Sequence, residues 1–109
     1  MGARVNYIFD DGTNALTVLY SHWGAESIDY DLEQAFAHAD VRLGDNSYWT
    51  RMVISHLIQD ELLDETGYGI YAVNPKTFSD PFDEVVEIDL VKETVNGYSF
   101  DSMLVWQNA

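Results

Sequence analysis

Carboxylates are the side chains in this sequence most able to take part in binding or chemistry. There are 19 Asp and Glu residues against five Lys and Arg, for a formal net charge of −14. Two groups of acids contain no base, one formed by Asp60, Glu61, Asp64 and Glu65, the other by Asp80, Asp83, Glu84, Glu87 and Asp89. Because phosphate binding depends on Lys and Arg, direct binding to nucleic acid or to an anionic membrane is not expected. The charge favours basic protein surfaces instead.

Histidines combined with carboxylates could form a metal site or an acid–base pair. His22, His38 and His56 fall in three different predicted elements and lack the short spacings of metal ligands, so no metal site and no cofactor is predicted. Neither Ser21 nor Ser55 lies in a nucleophile-elbow motif, and no catalytic residue is predicted. The chain has no cysteine, which excludes a thiolate nucleophile.

Strands and helices in a simple order must position these side chains. Apolar–polar alternation predicts strands over residues 4–9, 15–23, 68–74 and 84–95, and a last strand after Asn96-Gly97. Apolar residues at helical spacing predict helices from residue 27 or 28 to 39 and over 47–63, the second largely buried. The order β-β-α-α-β-β-β is typical of a single α+β domain, residues 1–109. We expect an antiparallel sheet of about five strands with two helices packed on one face.

The dipeptide Asn96-Gly97 is a strong signal for a two-residue hairpin turn. Such a turn pairs Val95 with Tyr98. If residues 84–95 form one long strand, the same register continues along it. It then pairs Lys92 with Asp101, Leu90 with Met103, and Ile88 with Val105.

The first acidic group crowds the C-terminal end of the predicted helix over 47–63, where the helix dipole disfavours anions. A solvated face or adaptation to high salt would explain the charge without a partner. The functional interpretation is a patch that meets a basic partner and imitates the phosphates of nucleic acid, with an aromatic anchor beside it. Its predicted partner-binding residues are Asp60, Glu61, Asp64, Glu65, Tyr68, Asp80, Asp83, Glu84 and Glu87.

Four segments, MGARVNYIF, VLYSHWG, SYWTRMVISHLI and ETGYGIYAV, give the chain a resemblance to a group of small proteins found in phages and prophages. These proteins open with Met-Gly and a hairpin that ends in a segment like Tyr-Ser-His-Trp-Gly. The resemblance covers about residues 1–74. It implies a viral accessory protein, a kind of small acidic protein that often blocks a host defence or nucleic-acid-processing enzyme. It implies no catalytic residues.

Charge and resemblance together predict a non-enzymatic inhibitor that mimics nucleic acid and occupies a basic groove of a host protein. One alternative is a small hydrolase or ligand-binding domain that uses His22, His56 and carboxylates. Another is an assembly subunit that dimerises through a sheet edge, and both monomer and homodimer stay open. The sequence has no apolar run of the roughly 18 residues that a membrane span needs, and its first residues lack the pattern of a signal peptide. A cytoplasmic location, in the host if the chain is viral, is therefore expected.

Overall fold

The computed structural model describes residues 4–13, 15–22, 28–76 and 85–100. The strands are β1 (Val5–Asp10), β2 (Leu16–Ser21), β3 (Tyr68–Val73), β4 (Val85–Asp89), β5 (Thr94–Val95) and β6 (Tyr98–Ser99). The helices are α1 (Ile28–Ala39) and α2 (Asn46–Leu57), and a short 3₁₀ helix follows each of them, at Asp40–Arg42 and Gln59–Glu61. The predicted α+β class is confirmed.

All six strands form one sheet in the order β3-β2-β1-β4-β5-β6. Neighbouring strands run antiparallel except for β1 and β4, which run parallel, with Asn6 opposite Val85 and Phe9 opposite Ile88. The expectation of an antiparallel sheet of about five strands is therefore corrected in two details, since one pair of strands is parallel and the sheet has six strands. The parallel pair arises because the chain crosses from β3, at one edge, to the far side of β1 before forming β4.

A turn at Asp89 breaks the long strand predicted over 84–95. The Oδ1 atom of Asp89 accepts hydrogen bonds from the backbone N–H groups of Val91 and Lys92, each at 2.9 Å. Such side-chain-to-backbone bonds favour a turn over a strand. The chain reverses here, and Ile88 pairs with Val95 on the side of β4 opposite to β1.

This reversal overturns the register expected for the strand over 84–95. Ile88 is paired on both sides, with Phe9 and Val95, so the predicted pairing with Val105 is wrong. Leu90 and Lys92 lie in the turn, not in a strand, and the partners predicted for them lie outside the described residues. The local part of the expectation is confirmed, since Val95 pairs with Tyr98 across the Asn96-Gly97 turn.

Both helices cover one face of the sheet, as predicted. Tyr7, Phe9 and Leu19 of the strands join the helical side chains in the main core, whose helical members include Leu32, Ala35, Trp49 and Val53. The indole of Trp49 stacks on Phe100 at 5.4 Å between ring centroids and meets Phe36 edge-on at 4.8 Å. Because side chains alternate along a strand, the other face carries a smaller apolar cluster, formed by Ile8, Leu16 and Val18.

Helix α2 ends at Leu57, six residues earlier than predicted. Ile58 leaves the helical conformation, with φ −104° and ψ 6°, and the Gln59 side chain donates a hydrogen bond to the His56 carbonyl at 3.0 Å. Leu62 and Leu63 are 61% and 94% exposed. The expectation of a largely buried helix was therefore wrong over its last turns, because the chain must leave the core there to reach β3.

Candidate protein-binding surface

A surface cleft of about 390 Å³ opens where α1, the end of α2 and the start of β3 meet. Its lining residues, here called the acidic cleft, are Tyr30, Asp31 and Gln34 of α1, His56 and Leu57 of α2, Gln59, Asp60 and Glu61 of the 3₁₀ helix, and Tyr68 of β3. Three carboxylates belong to this set, and no Lys or Arg lies among the described residues that line it.

The carboxylates of the acidic cleft act on the ring of Tyr68. Burial, followed by the charge of Glu61, raises the pKa of the Tyr68 hydroxyl. A hydrogen bond with Ser21 opposes this change, and the charges of Asp31 and Asp60 add to it. Three acids from two separate parts of the chain therefore place their negative potential on one aromatic residue. This is an arrangement suited to attracting a cation.

Acidic and apolar side chains are exposed together beside the acidic cleft. Residues 62–65, Leu-Leu-Asp-Glu, follow the 3₁₀ helix and are all exposed. Leu63 is 94% exposed, and Tyr30, at the cleft itself, is 66% exposed. Single exposed apolar residues are common on protein surfaces, but two consecutive exposed leucines next to a cleft with an exposed tyrosine are candidates for contact with a partner. We name the acidic cleft together with residues 62–65 the acidic surface.

A second acidic region lies at the other end of the strands. Glu87, Asp10 and Asp89 line a cavity of about 370 Å³. This cavity lies on the face of the sheet that the helices do not cover. Tyr68 pairs with Ser21, which pairs with Val5, so Tyr68 and Val5 lie at the same height in the sheet. Asp89 pairs with Asp10 at the other end of β1. Five residues of strand, about 17 Å, separate these two levels, and Glu87, which pairs with Ile8, is three residues, about 10 Å, from the level of Tyr68.

The structure thus groups the predicted partner-binding residues only in part. It brings Asp60, Glu61 and Tyr68 into one cleft, and Asp64 and Glu65 follow directly along the chain. It places Glu87 elsewhere. Asp80, Asp83 and Glu84 lie outside the described residues. Asp31 and Tyr30, which the sequence did not single out, belong to the same cleft. No local signal marks them, because their role depends on which side of α1 faces the end of α2.

The histidines considered for catalysis are separated by the sheet. His56 lines the acidic cleft, and its ring lies 5.5 Å from that of His38 on α1. His22 is hydrogen-bonded through Nδ1 to the hydroxyl of Tyr20 at 2.8 Å. Tyr20 alternates with the core residue Leu19 and therefore lies on the face away from the helices. This bond holds the His22 ring toward the face away from the helices, whereas His56 lies on a helix. Within the described ranges, no three His, Asp or Glu side chains are grouped to hold a metal ion.

The ligand-binding alternative would be placed best in a third cavity, of about 480 Å³, between α2 and the sheet. Phe9, Ile54 and Ile70 give it an apolar floor, and Asp11 and Arg51 bring opposite charges to its lining. Neither His22 nor His56 belongs to it. Its size and composition are those of a small-molecule pocket, but it holds no group that is distinctive for a reaction.

Fold and surface together define a small α+β domain with a six-stranded mixed sheet and an acidic cleft at one end. Comparison of the chain with protein-family models, with curated proteins and with solved structures finds no match. Of the helices in the described residues, none has both the length and the apolar character needed to cross a membrane.

Proposed function

We propose that this protein is a non-enzymatic binding protein whose acidic surface docks on a basic surface of another protein. One observation carries the proposal, namely that Asp31, Asp60 and Glu61 converge on Tyr68 in a cleft lined by no described base. Charges held together in a cleft are expected to attract a cationic partner more strongly than the same charges spread over a surface.

The proposed partner is a protein that binds nucleic acid through a basic groove. Such grooves display Lys and Arg at close spacing to neutralise phosphates, and a chain of net charge −14 is their electrostatic complement. The resemblance to small phage and prophage proteins supports a role as an inhibitor that occupies the groove in place of nucleic acid. The host cytoplasm is the proposed site of action.

Exposed apolar side chains favour a protein partner over a purely solvated face. A surface that serves solubility alone needs only charge, whereas Tyr30, Leu62 and Leu63 are all more than half exposed beside the acids. Aromatic and apolar anchors at the centre of an interface supply most of its binding energy, and the surrounding charges steer association.

Binding of a deca-arginine peptide, measured by titration calorimetry, tests the electrostatic part of the proposal. We expect affinity to fall at least about tenfold between about 50 mM and about 0.5 M salt, because exposed charges are screened. Reversal of Asp60 and Glu61 (Asp60→Lys/Glu61→Lys) should weaken binding about tenfold, or about 1.4 kcal/mol. The matched control is Asp40→Lys/Glu87→Lys. It makes the same change in charge at two exposed acids outside the acidic surface and should keep most of the affinity.

Two results of this titration would refute the proposal. Equal losses in the two double variants would show that overall charge, not the acidic cleft, attracts the peptide. Binding that is unchanged by salt would exclude the electrostatic mechanism. Capture from host lysate then tests the mimicry. Proteins retained by the wild type and released by duplex DNA support it, whereas retention that duplex DNA does not affect contradicts it.

A further inference from the structure

Strand β3 forms an edge of the sheet. In the part of the chain that the structure describes, β3 pairs with β2 alone. The pairing is continuous from Leu16–Val73 to Ser21–Tyr68, without a bulge. Its second side is therefore a straight run of six residues that can accept another strand.

The hydrogen-bond pattern shows which residues of β3 face outward. The His22 N–H donates to the Gly67 carbonyl at 2.9 Å, just beyond the first pair of the ladder. Hydrogen-bonded and non-bonded pairs alternate along an antiparallel ladder. Residues 67, 69, 71 and 73 thus bond to β2, and Tyr68, Ile70 and Ala72 direct their N–H and C=O groups away from it.

The six residues of β3 themselves carry none of the side chains that usually protect an edge strand. Natural edges are commonly blocked by Lys, by Pro, by a bulge or by inward-pointing charge. The sequence of β3, Tyr-Gly-Ile-Tyr-Ala-Val, has neither charge nor proline. Ile70 is 60% exposed and Tyr71 is 38% exposed. An uncharged, apolar edge of this length is a surface for pairing with another strand.

We propose that β3 pairs antiparallel with β3 of a second copy of this chain, around a two-fold axis at Ile70. This register places Ile70 opposite Ile70 of the second copy, and Tyr68 opposite Ala72 of the second copy. All three outward-facing residues of each strand then lie in hydrogen-bonded pairs. A two-fold axis at residue 69 or 71 would pair only two of the three outward-facing residues of each strand and leave Ala72 or Tyr68 opposite a residue outside β3.

Charge complementarity at the ends of β3 favours a second copy as the occupant. Asp64 and Glu65 precede the strand and Lys76 follows it, and all three are exposed. Antiparallel pairing about Ile70 places the end of β3 that Lys76 follows, in each copy, beside the end that Asp64 and Glu65 precede in the other.

Pairing of the two β3 strands would place two acidic clefts on the same face of one continuous sheet. Antiparallel neighbours related by a two-fold axis through the sheet keep the same face up, so both sets of helices lie on one side. Tyr68 belongs to the acidic cleft and to β3. Four residues of strand, about 14 Å, separate the two copies of Tyr68 along the strand direction. The dimer does not depend on the proposed function, since it follows from the free side of β3 and the charges that flank this strand.

Sedimentation equilibrium of the full chain is the direct test. The wild type should show twice the chain mass of 12.4 kDa at high concentration. Ala72→Pro removes an N–H that points away from β2, which an edge strand tolerates, and Ile70→Lys sets like charges on the axis. Both variants should be monomers with a wild-type circular dichroism spectrum. Val41→Lys makes the same charge change at a residue that is 80% exposed and should leave the dimer intact.

Cross-linking tests the register, since the chain has no cysteine of its own. Opposite residues in a bonded antiparallel pair have Cα atoms about 5.5 Å apart, within disulfide range. Ile70→Cys should therefore form a symmetric disulfide, with oxidised glutathione taking up the two electrons and both thiol protons. Tyr71→Cys, about 8 Å from its counterpart in this register, should not.

Three results would overturn the proposal. The first is a wild-type chain that stays monomeric at about millimolar concentration, where even a weak specific dimer forms. The second is a dimer that persists in both Ile70→Lys and Ala72→Pro, because the interface would then lie elsewhere. The third is a disulfide that forms as readily in Tyr71→Cys as in Ile70→Cys, which would exclude the axis at Ile70.

Discussion

Alkaline pH should destabilise this protein through Tyr7, and the substitution Tyr7→Phe isolates the effect. Tyr7 is 1% exposed in the main core. Burial, followed by the charge of Asp31 and then by Tyr68, raises the pKa of its hydroxyl far above the ordinary value near 10. Above about pH 10 the unfolded chain releases this proton while the folded protein retains it. The unfolded state then binds fewer protons, so the free energy of unfolding falls as pH rises.

The size of the effect follows from one proton. A difference of one bound proton changes the free energy of unfolding by about 1.4 kcal/mol per pH unit. Between about pH 9 and about pH 11 Tyr7 should thus remove about 1.4 kcal/mol, a sizeable part of the roughly 5–15 kcal/mol typical of a domain. The pKa of Tyr68 is also raised, and it should add a loss of the same sign.

Urea unfolding at several pH values, followed by far-ultraviolet circular dichroism, measures this loss. The Tyr7→Phe variant has no proton to release at this position, so its loss over the same range should be smaller by about 1.4 kcal/mol. The control Tyr98→Phe alters a ring that is 62% exposed and should keep the wild-type loss. Equal losses in Tyr7→Phe and the wild type would refute the assignment of the linkage to Tyr7.

Two further substitutions should change stability in opposite directions, both measured by urea unfolding at neutral pH. Trp49→Ala should lower the free energy of unfolding by about 3–5 kcal/mol, because Trp49 is 2% exposed, stacks on Phe100 and meets Phe36 edge-on. A loss below about 1 kcal/mol would contradict the central place given to this ring. Asp60→Lys should raise the free energy of unfolding by about 0.3–1 kcal/mol while weakening deca-arginine binding, because it replaces an anion beyond the C-terminal end of α2. A loss of stability in that variant would contradict the dipole argument.

Local elements of the fold follow closely from the sequence. Alternation and turn residues predict the β1–β2 hairpin, and helical spacing predicts α1 with its end at Ala39. The Asn96-Gly97 turn sets the pairing of Val95 with Tyr98 without help from the rest of the chain. Each of these features depends on residues close together in the sequence, where backbone sterics and side-chain period decide the result.

Non-local pairings could not be predicted in the same way. The pairing of β4 with β1 joins residues about 80 positions apart, and no local pattern distinguishes a parallel neighbour from an antiparallel one here. The side-chain bonds of Asp89 are a local signal, but the alternating apolar residues on both sides of Asp89 conceal it. Since the chain reverses there, the extrapolated pairing of Ile88 with Val105 failed.

The candidate site was predicted where its residues are neighbours in the chain. Asp60 and Glu61 are adjacent, and Tyr68 follows at the next element, so one region of sequence supplies most of the acidic cleft. Asp31 comes from α1 and enters the cleft only through the packing of α1 on α2. Glu87 was grouped with these acids by charge alone. It lies apart because β4 is on the far side of β1 from β3.

Two features of the segment after α2 are unfavourable for local stability, and they are independent of each other. Asp60 and Glu61 follow a helix C-terminus, where cations are preferred. Leu63, two residues later, is 94% exposed and forgoes the roughly 1.5–3 kcal/mol that burial of a leucine side chain provides. Neither choice helps the core, and substitutions at these three residues would avoid both. Local rules broken together at one surface, without a gain in packing, are typical of residues that serve a partner. This coincidence supports binding at the acidic surface independently of the overall charge of the chain.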